Sequence, residues 1–349
     1  MTASLRPVAG DPGDVLGLLE PWVHFGGKPL VVSTSGTTGE PKDVALSQGA
    51  ILASARASLA RLGGPGQWLL ALPVTSIAGV QVLVRSILGG WDPVVLADRD
   101  SLESAMGSFG EARKYAAIVP TQLFRLATTD RLHLLSGFDA VLVGGASVDA
   151  ELLAEARAAG APIVRTYGMT ETCGGCVYDG IPLDGVSMRI DEDDESDGDG
   201  SGQIWLHGPV LFDGYVGERR QDEWFATADR GRLLDDGTLQ VLGRLDETIV
   251  SGGVNIPLPA VERALRKVDG VVDAAAVGVA DHEWGTRVVA AVVPAEDGAV
   301  NLAALRDALQ VDGAPRSWAP RQLLTLAELP LLPGGKVDRE RLRVMAADA

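Results

Sequence analysis

One ten-residue stretch decides how this chain folds: Ser33-Thr-Ser-Gly-Thr-Thr-Gly-Glu-Pro-Lys42. It follows the apolar run 30–32 and precedes a helical pattern that Ser47 can cap. Glycines let the backbone wrap around an anion, hydroxyl and N–H groups donate hydrogen bonds to it, and Lys42 supplies positive charge. It is not a Walker A loop, because its glycines are too close together and Pro41 precedes the lysine. The stretch predicts a phosphate-binding loop, with a plain surface turn as the alternative.

Outward from this loop, short apolar runs alternate with helical patterns as far as about Gly168. The runs predicted to form buried strands are 30–32, 68–72, 94–96, 117–119, 140–143 and 163–164. Helical periodicity marks residues 47–62 and 77–88. Strand, helix and strand at this spacing indicate βαβ units, so we expect a mostly parallel sheet flanked by helices.

The pattern changes in the second half of the chain. Between about 185 and 243, short β runs alternate with Gly and Asp turns, which predicts an antiparallel β subdomain. Beyond it, a smaller α+β pattern begins with a helix at 259–268. The expected fold class is therefore α/β. A large N-terminal domain over 1–244 would contain the parallel sheets and the β subdomain, and a small mobile α+β C-terminal domain would cover 245–349.

Composition narrows the classes of function. The chain has 349 residues, of which 46% are hydrophobic, and a formal net charge of −17. Nucleic-acid binding is disfavoured because it needs a basic surface. No apolar run approaches the ~20 residues of a membrane-spanning helix, and the N-terminus lacks the apolar stretch of a secretory signal. Two cysteines fit a reducing compartment, so we expect a cytoplasmic protein without integral membrane association and leave a homodimer open.

Two clusters of metal-type residues are weak candidates. In the acidic run 191–200, the EF-hand register puts Ile204 where the bidentate glutamate belongs, so a solvated hairpin tip is the preferred interpretation. Cys173 and Cys176 have the spacing of a redox or zinc pair. No second Cys/His pair lies near them in the sequence, which argues against zinc.

Six short motifs, in order along residues 30–340, resemble those of the adenylate-forming superfamily, which contains acyl-CoA synthetases, peptide-synthetase adenylation domains and luciferases. The phosphate loop matches at residues 34–42. The other matches are Gly144-Gly-Ala146, Tyr167-Gly-Met-Thr-Glu171, Trp224-Phe-Ala-Thr-Ala-Asp229, Gly243-Arg-Leu-Asp246 and Leu332-Pro-Gly-Gly-Lys-Val-Asp-Arg339. The resemblance implies that the chain uses ATP, Mg²⁺ and CoA, and that its substrate is a small carboxylic acid.

The resemblance also implies roles for individual residues. Lys336, Thr170 and Glu171 are the expected catalytic residues, with Glu171 as the magnesium ligand. The residues expected to bind ATP or AMP are Thr34, Ser35, Gly36, Thr37, Thr38, Gly39, Lys42, Gly144, Gly145, Ala146, Tyr167, Gly168, Met169, Asp229 and Arg244. For Asp229 and Arg244, an ion pair on the protein surface is the alternative.

The start of the C-terminal domain carries the expected hinge. Asp246 is the expected pivot between two half-reactions, the activation of the acid and its transfer to CoA. The residues expected to contact CoA are Asp246, Ser251, Gly252 and Gly253. The glycines leave room for the thin pantetheine arm, and the small domain would bring Lys336 to the first half-reaction only.

Within the superfamily, residues 249–256 look most like the o-succinylbenzoate–CoA ligases of menaquinone biosynthesis. That acid has two carboxylates, of which one is activated and the other needs a counter-charge. Arg85 lies in an apolar segment, where an unpaired cation is costly, so we expect it to bind the acid together with Ser76 and Gly168. A helix residue that reaches solvent is the alternative for Arg85. Other candidate functions are an aryl- or short-acyl-CoA ligase and a non-catalytic nucleotide-binding homologue.

Overall fold

The computed structural model of the protein describes residues 11–34, 42–192, 200–295, 300–311, 314–332 and 337–349. Contacts between residues divide the chain into two compact units. The first comprises Met1–Thr227 and Arg232–Gln240, and the second comprises Ala228–Gly231 and Val241–Ala349. Within the described ranges, no helix is both long enough and apolar enough to cross a membrane.

The first unit is built from α-helices and short strands. Its described helices are α1 (Pro12–Phe25), α2 (Gln48–Arg61), α3 (Ile77–Gly89), α4 (Leu102–Met106), α5 (Pro120–Thr128) and α6 (Ala150–Ala158). The strands up to the β subdomain are β1 (Leu30–Thr34), β2 (Lys42–Leu46), β3 (Gln67–Leu70), β4 (Val94–Val95), β5 (Lys114–Ile118), β6 (Ala140–Val143), β7 (Ile163–Met169), β8 (Gly174–Tyr178) and β9 (Ile181–Pro182). The strands that follow are β10 (Ser187–Glu192), β11 (Ser201–His207), β12 (Gly214–Tyr215), β13 (Glu218–Arg219), β14 (Trp224–Leu233) and β15 (Leu239–Arg244).

A seven-stranded sheet forms the centre of this unit, in the order β4-β3-β5-β6-β7-β8-β9. The strands from β4 to β7 are parallel, and β8 and β9 continue the sheet antiparallel. Trp68 and Leu70 pack into the core beneath α1, α2 and α3, whereas Leu69 packs into a second core with α4, α5 and α6. Because both faces of the sheet are covered, its strands are continuous apolar runs. The predicted parallel sheet flanked by helices is confirmed.

The strand before the phosphate loop does not belong to this sheet. β1 pairs antiparallel with β2, with Thr34 opposite Lys42, and the sheet has the order β1-β2-β12-β13. The prediction that the run 30–32 joins the parallel sheet, and that the loop leads directly into a helix, is therefore wrong. The reason is the length of the link, because parallel neighbours need a crossover of about a dozen residues or more. A shorter link can join only antiparallel neighbours.

Capping residues determine where the helices α2 and α3 begin and where α3 ends. Ser47 caps α2 by accepting a hydrogen bond from the Ala50 N–H at 3.2 Å, as predicted. Ser76 caps α3 in the same way through the Gly79 N–H at 3.1 Å. Gly90 ends α3 in a left-handed conformation with φ 71°, which glycine adopts without strain.

The strands predicted between 185 and 243 take part in two sheets. One has the order β10-β11-β14-β15, and β10 pairs antiparallel with β11. The short strands β12 and β13 instead extend the sheet of β1 and β2. This second arrangement places Tyr215 of β12 opposite Val44 of β2, the strand that begins at Lys42.

The second unit is a small α+β structure. Its described elements are β16 (Thr248–Ser251), β17 (Val254–Pro257), α7 (Leu258–Arg266), β18 (Val271–Asp281), β19 (Gly285–Pro294), α8 (Leu302–Val311), β20 (Gln322–Thr325) and α9 (Arg339–Ala347). The strands β18 and β19 form a long antiparallel hairpin, and β20 adds to β19 in parallel. One core lies between this sheet and α7 and α8, and another lies between the sheet and α9.

A group of charged side chains joins α9 to the rest of the second unit. Arg339 donates to Glu262 Oε1 at 2.5 Å and to Glu247 Oε1 at 3.2 Å. Glu262 is only 5% exposed, and it also accepts from the Ala276 N–H at 2.9 Å. Burial raises the pKa of Glu247, a shift that the positive charge of Arg339 opposes. The arginine therefore neutralises two carboxylates that are mostly removed from water.

Replacement of this arginine should destabilise the protein. Arg339→Leu should lower the free energy of unfolding by about 2–4 kcal/mol, because two largely buried carboxylates lose their nearest cation. Urea denaturation of the full chain measures the change. The matched control is Arg343→Leu on the same helix, whose pair with Glu340 is exposed and should contribute about 0–1 kcal/mol. Equal losses for the two variants would contradict this account.

Candidate active site

The described ends of the phosphate loop form a closed hairpin base. Thr34 Oγ1 donates to the Lys42 carbonyl oxygen at 3.2 Å. One pair inward, Ser33 Oγ donates to Asp43 Oδ1 at 2.5 Å. The expected loop residues Ser35, Gly36, Thr37, Thr38 and Gly39 lie outside the described residues. The structure therefore fixes where the loop begins and ends, on two adjacent strands.

Lys42 and Glu171 both contact Tyr215. The Lys42 ammonium lies 5.2 Å from the centroid of the Tyr215 ring, within the range of a cation–π contact. The Tyr215 hydroxyl donates to Glu171 Oε1 at 3.0 Å. Burial, and then the negative charge of Glu171, raise the pKa of Tyr215 above its ordinary value, so the phenol stays a neutral donor at physiological pH. Two residues expected to act on phosphate and magnesium are thus brought together.

The segment that carries Thr170 and Glu171 is a single 3₁₀ turn at the end of β7, Thr170–Thr172. Thr172 Oγ1 accepts from the Met169 N–H at 2.9 Å and donates to the Gly174 carbonyl at 2.7 Å. A Cβ on Gly168 would lie 2.2 Å from that same carbonyl, so β7 and β8 can approach only because this residue is glycine. The Glu171 carbonyl in turn accepts from the Phe212 N–H at 2.9 Å.

The expected adenine-side residues Gly144, Gly145 and Ala146 directly follow β6. A Cβ on Gly144 would lie 2.2 Å from Thr166 Oγ1 of the neighbouring strand β7. Gly145 has φ +86°, which favours glycine. Because β6 and β7 are parallel, this loop and the motif that begins at Tyr167 lie at the same edge of the sheet, where ligands of such sheets bind.

Of the three residues expected to bind the acid, Ser76 and Arg85 lie along α3, and Gly168 lies on β7. Ser76, at its N-cap, donates to the Pro73 carbonyl at 2.7 Å. Arg85 is 3% exposed, and its guanidinium carbon lies 4.9 Å from the centroid of a Trp68 ring. Nine residues separate the two, so Arg85 is about 13 Å further along the helix than Ser76. The structure does not bring these two side chains together.

Arg85 is a buried cation without a carboxylate partner among the described residues. Its Nε atom is buried and has no hydrogen-bond partner there. Burial lowers the pKa of the guanidinium below its ordinary value, and the charge of Tyr178 opposes that shift. A cation that is buried and has no carboxylate partner among the described residues is in the costly state that the apolar segment suggested. The alternative of a helix residue reaching solvent does not fit a side chain that is 3% exposed.

The second unit holds the remaining expected nucleotide residues. Arg244 Nη1 lies 3.7 Å from Asp229 Oδ1, so the two form an ion pair. Asp229 is buried, at 7% exposed, whereas the Arg244 side chain is 33% exposed, so the pair joins a buried carboxylate to a partly exposed guanidinium. Asp246 lies in the 3₁₀ turn Leu245–Glu247. Lys336 lies outside the described residues.

Three of the expected CoA residues, Ser251, Gly252 and Gly253, occupy the turn of the β16–β17 hairpin, where Ser251 pairs with Val254. Gly252 has φ +58°, and its N–H donates to the Trp284 carbonyl at 2.9 Å. A Cβ there would lie 2.7 Å from the Trp284 ring, so glycine is required. The Arg321 guanidinium lies 3.5 Å from the centroid of a ring of the same tryptophan. A flat aromatic and cationic surface therefore lies beside the expected CoA contact.

Sequence reasoning missed Tyr215, Trp284 and Arg321. Tyr215 contacts Lys42 and Glu171, and Trp284 contacts Gly252, in each case from a segment distant in sequence, and Arg321 in turn contacts Trp284. The sequence offered only the glycine before Tyr215 as a signal, and the structure gives its reason, since a Cβ on Gly214 would lie 2.3 Å from the Glu218 carbonyl. For Trp284, the lone tryptophan in a polar turn was the available signal.

Magnesium fits the donors present at Glu171. No group of three or more His, Cys, Asp and Glu side chains suited to a metal occurs in the part of the chain that the structure describes. Mg²⁺ is commonly held by one or two carboxylates together with water and substrate phosphates. Glu171 uses one oxygen for Tyr215 and keeps further lone pairs for an ion. Cys173 and Cys176 are buried free thiols, which leaves the zinc alternative without support among the described residues.

Comparisons with known proteins agree with these motifs. Residues 30–216 match the AMP-binding enzyme family, and residues 260–336 match the AMP-binding enzyme C-terminal domain. A probable 2-succinylbenzoate–CoA ligase of Mycobacterium tuberculosis is 44% identical over 328 residues, which cover 90% of this chain and 83% of that protein.

Solved structures of o-succinylbenzoate CoA synthetases are also similar to this chain. The o-succinylbenzoate CoA synthetase of Bacillus subtilis, in complex with its acyl-adenylate intermediate, is 30% identical with a TM-score of 0.78 and covers 90% of this chain and 68% of that one. The same synthetase with ATP and a magnesium ion is 29% identical with a TM-score of 0.76 and covers 90% and 69%. The chain belongs to the AMP-binding enzyme family.

Proposed function

We propose that the protein is an AMP-forming acid–thiol ligase that converts o-succinylbenzoate to o-succinylbenzoyl-CoA, a step in menaquinone biosynthesis. The observation that carries the proposal is that Lys42, the last residue of the phosphate-loop motif, and Glu171, just after the last parallel strand, both contact Tyr215. The likeness to 2-succinylbenzoate–CoA ligases supports this choice of acid.

The proposed reaction has two half-reactions. In the first, a carboxylate oxygen attacks the α-phosphorus of ATP, the acyl-adenylate forms and pyrophosphate leaves. In the second, the CoA sulfur attacks the acyl carbon, the thioester forms, AMP leaves and the thiol proton is released. The first step joins two anions, so it depends on the placement of cations and donors more than on a general base.

Residues of the first unit would hold the phosphates. Lys42 and the loop would bind the pyrophosphate that leaves, and Thr170 would donate to the α-phosphate. Glu171 would hold Mg²⁺, which offsets the charge of the phosphates when bound. Tyr215 would orient the Glu171 carboxylate by donating to its Oε1. The loop at Gly144, Gly145 and Ala146 and the segment at Tyr167, Gly168 and Met169 would contact the adenosine.

Residues of the second unit would complete both half-reactions. Asp229 would accept hydrogen bonds from the ribose hydroxyls, with Arg244 beside it, as their ion pair supports. Lys336 would neutralise charge in the activation step. The hinge near Asp246 stays part of the proposal, as does the domain boundary at 244–245.

CoA would bind at the hairpin of Ser251, Gly252 and Gly253. The Trp284 ring and the Arg321 guanidinium beside it suit a ligand with an aromatic base and phosphates.

The expectation of a cytoplasmic location also belongs to the proposal and is consistent with two free thiols. The protein is also a candidate homodimer, and sedimentation of the purified chain in an analytical ultracentrifuge would distinguish a dimer from a monomer.

The function is tested by ATP–pyrophosphate exchange with a panel of acids. We expect exchange with o-succinylbenzoate and little with benzoate or fatty acids, and we expect thioester formation once CoA is added. Preference for another acid would favour an aryl- or short-acyl-CoA ligase. Absence of exchange with every acid would favour a non-catalytic nucleotide-binding homologue.

Arg85 is proposed as the counter-charge for the carboxylate that does not react. Arg85→Met should lower kcat/KM for o-succinylbenzoate. The loss should correspond to about 2–4 kcal/mol of transition-state stabilisation, because a buried carboxylate would lose its cation. The KM for ATP should stay nearly unchanged. The control substrate is the analogue without the ring carboxylate, which should lose little from the change. An equal loss for both acids would reject the role of Arg85.

A further inference from the structure

Two buried side chains from different helices hold one carbonyl group next to the candidate active site. The Cys173 carbonyl accepts from Ser54 Oγ of α2 at 2.9 Å and from Gln81 Nε2 of α3 at 2.8 Å. Ser54 and Cys173 are 0% exposed, and Gln81 is 1% exposed. Both donors are therefore removed from water and directed to the same acceptor.

The backbone conformation of Cys173 is unusual, and the two hydrogen bonds to its carbonyl help to stabilise it. Its φ of 52° and ψ of 37° lie in the left-handed region, which is uncommon for a residue with a Cβ. Such a conformation persists where its surroundings over-determine it. A buried carbonyl without partners is also costly, so loss of either donor would weaken the turn.

This turn is continuous with the residues proposed to act on phosphate and magnesium. The Cys173 N–H donates to the Thr170 carbonyl at 3.0 Å and closes the turn that contains Glu171. On its other side, the Glu171 carbonyl accepts from the Phe212 N–H at 2.9 Å. A shift of Cys173 would therefore be transmitted to Thr170 and Glu171.

We propose that Ser54 and Gln81 are positioning residues for the activation half-reaction, acting through the Cys173 carbonyl on Thr170 and Glu171. This inference rests on the proposed function. Gln81 lies one helical turn before Arg85 on α3. The helix proposed to bind the acid thus also holds the turn proposed to bind the phosphate and its ion, so both reactants are placed by one rigid element.

The test measures both half-reactions in Gln81→Met and Ser54→Ala. Each variant should lower the kcat of ATP–pyrophosphate exchange by about threefold to tenfold, the size of one lost hydrogen bond. Each should also raise the Mg²⁺ concentration that gives half-maximal exchange, with a smaller change in the KM for the acid. Thioester formation from preformed acyl-adenylate and CoA should keep its wild-type rate, because Glu171 is not used there.

Matched controls come from the same helices. Ser58→Ala removes a buried hydroxyl of α2 that bonds the Tyr178 hydroxyl, and Ser86→Ala removes one of α3 that bonds the Val82 carbonyl. Both hydroxyls are buried, but neither contacts Cys173. These variants should keep the wild-type Mg²⁺ dependence even if their stability falls. If Gln81→Met does not fold, Ser54→Ala decides the question, because it leaves the Gln81 donor in place.

Three outcomes would overturn the inference: a wild-type exchange rate in a folded Ser54→Ala, equal losses in both half-reactions, or the same Mg²⁺ shift in the controls. Failure of the proposed function looks different. In that case the wild-type protein itself shows no exchange with any acid, whereas failure of this inference leaves the wild-type exchange intact.

Discussion

The hydrogen bond from Tyr215 to Glu171 joins the seven-stranded sheet to the sheet that contains β1 and β2. Tyr215 lies on β12, in the sheet that holds both ends of the phosphate loop, and Glu171 follows the last parallel strand of the seven-stranded sheet. The Lys42 ammonium faces the ring of the same tyrosine. Burial and the charge of Glu171 raise the pKa of Tyr215, so at physiological pH the phenol is a neutral donor to the carboxylate. One tyrosine therefore contacts both the lysine and the carboxylate.

Two largely buried arginines show two different uses of a cation. Arg339 meets the carboxylates of Glu262 and Glu247, so its charge is satisfied within the fold and it serves the stability of the second unit. Arg85 has an aromatic ring beside it, and within the described ranges no carboxylate pairs with it. A cation left in that state carries a cost that an anionic ligand would offset. The contrast supports a role in binding for Arg85 and a structural role for Arg339.

The sequence was informative where structure is local and less informative where it depends on distant pairing. Apolar runs predicted the parallel sheet and the helix α3, and the Ser47 cap helped to predict α2, because these follow from side-chain periodicity and from nearby hydrogen bonds. The position of β1 was predicted wrongly, since an apolar run does not specify which neighbour it pairs with.

The same division applies to the site. Short motifs predicted Glu171, Lys42 and the glycines, and close approaches at Gly144 and Gly168 give the physical reason for those glycines. Tyr215, Trp284 and the Ser54–Gln81 pair were not predicted, because each contacts the site from a segment far away in the chain. A motif describes a segment, whereas these contacts depend on how segments pack.

The most direct test of the central claim is the Mg²⁺ dependence of ATP–pyrophosphate exchange in Tyr215→Phe, which removes one hydroxyl and keeps the ring beside Lys42. Tyr115→Phe is the control, because its hydroxyl bonds the Leu62 and Gly64 carbonyls instead. The account predicts that Tyr215→Phe needs more Mg²⁺ and exchanges about tenfold more slowly, the effect of one lost bond to a charged group. Wild-type exchange with wild-type Mg²⁺ dependence would contradict it.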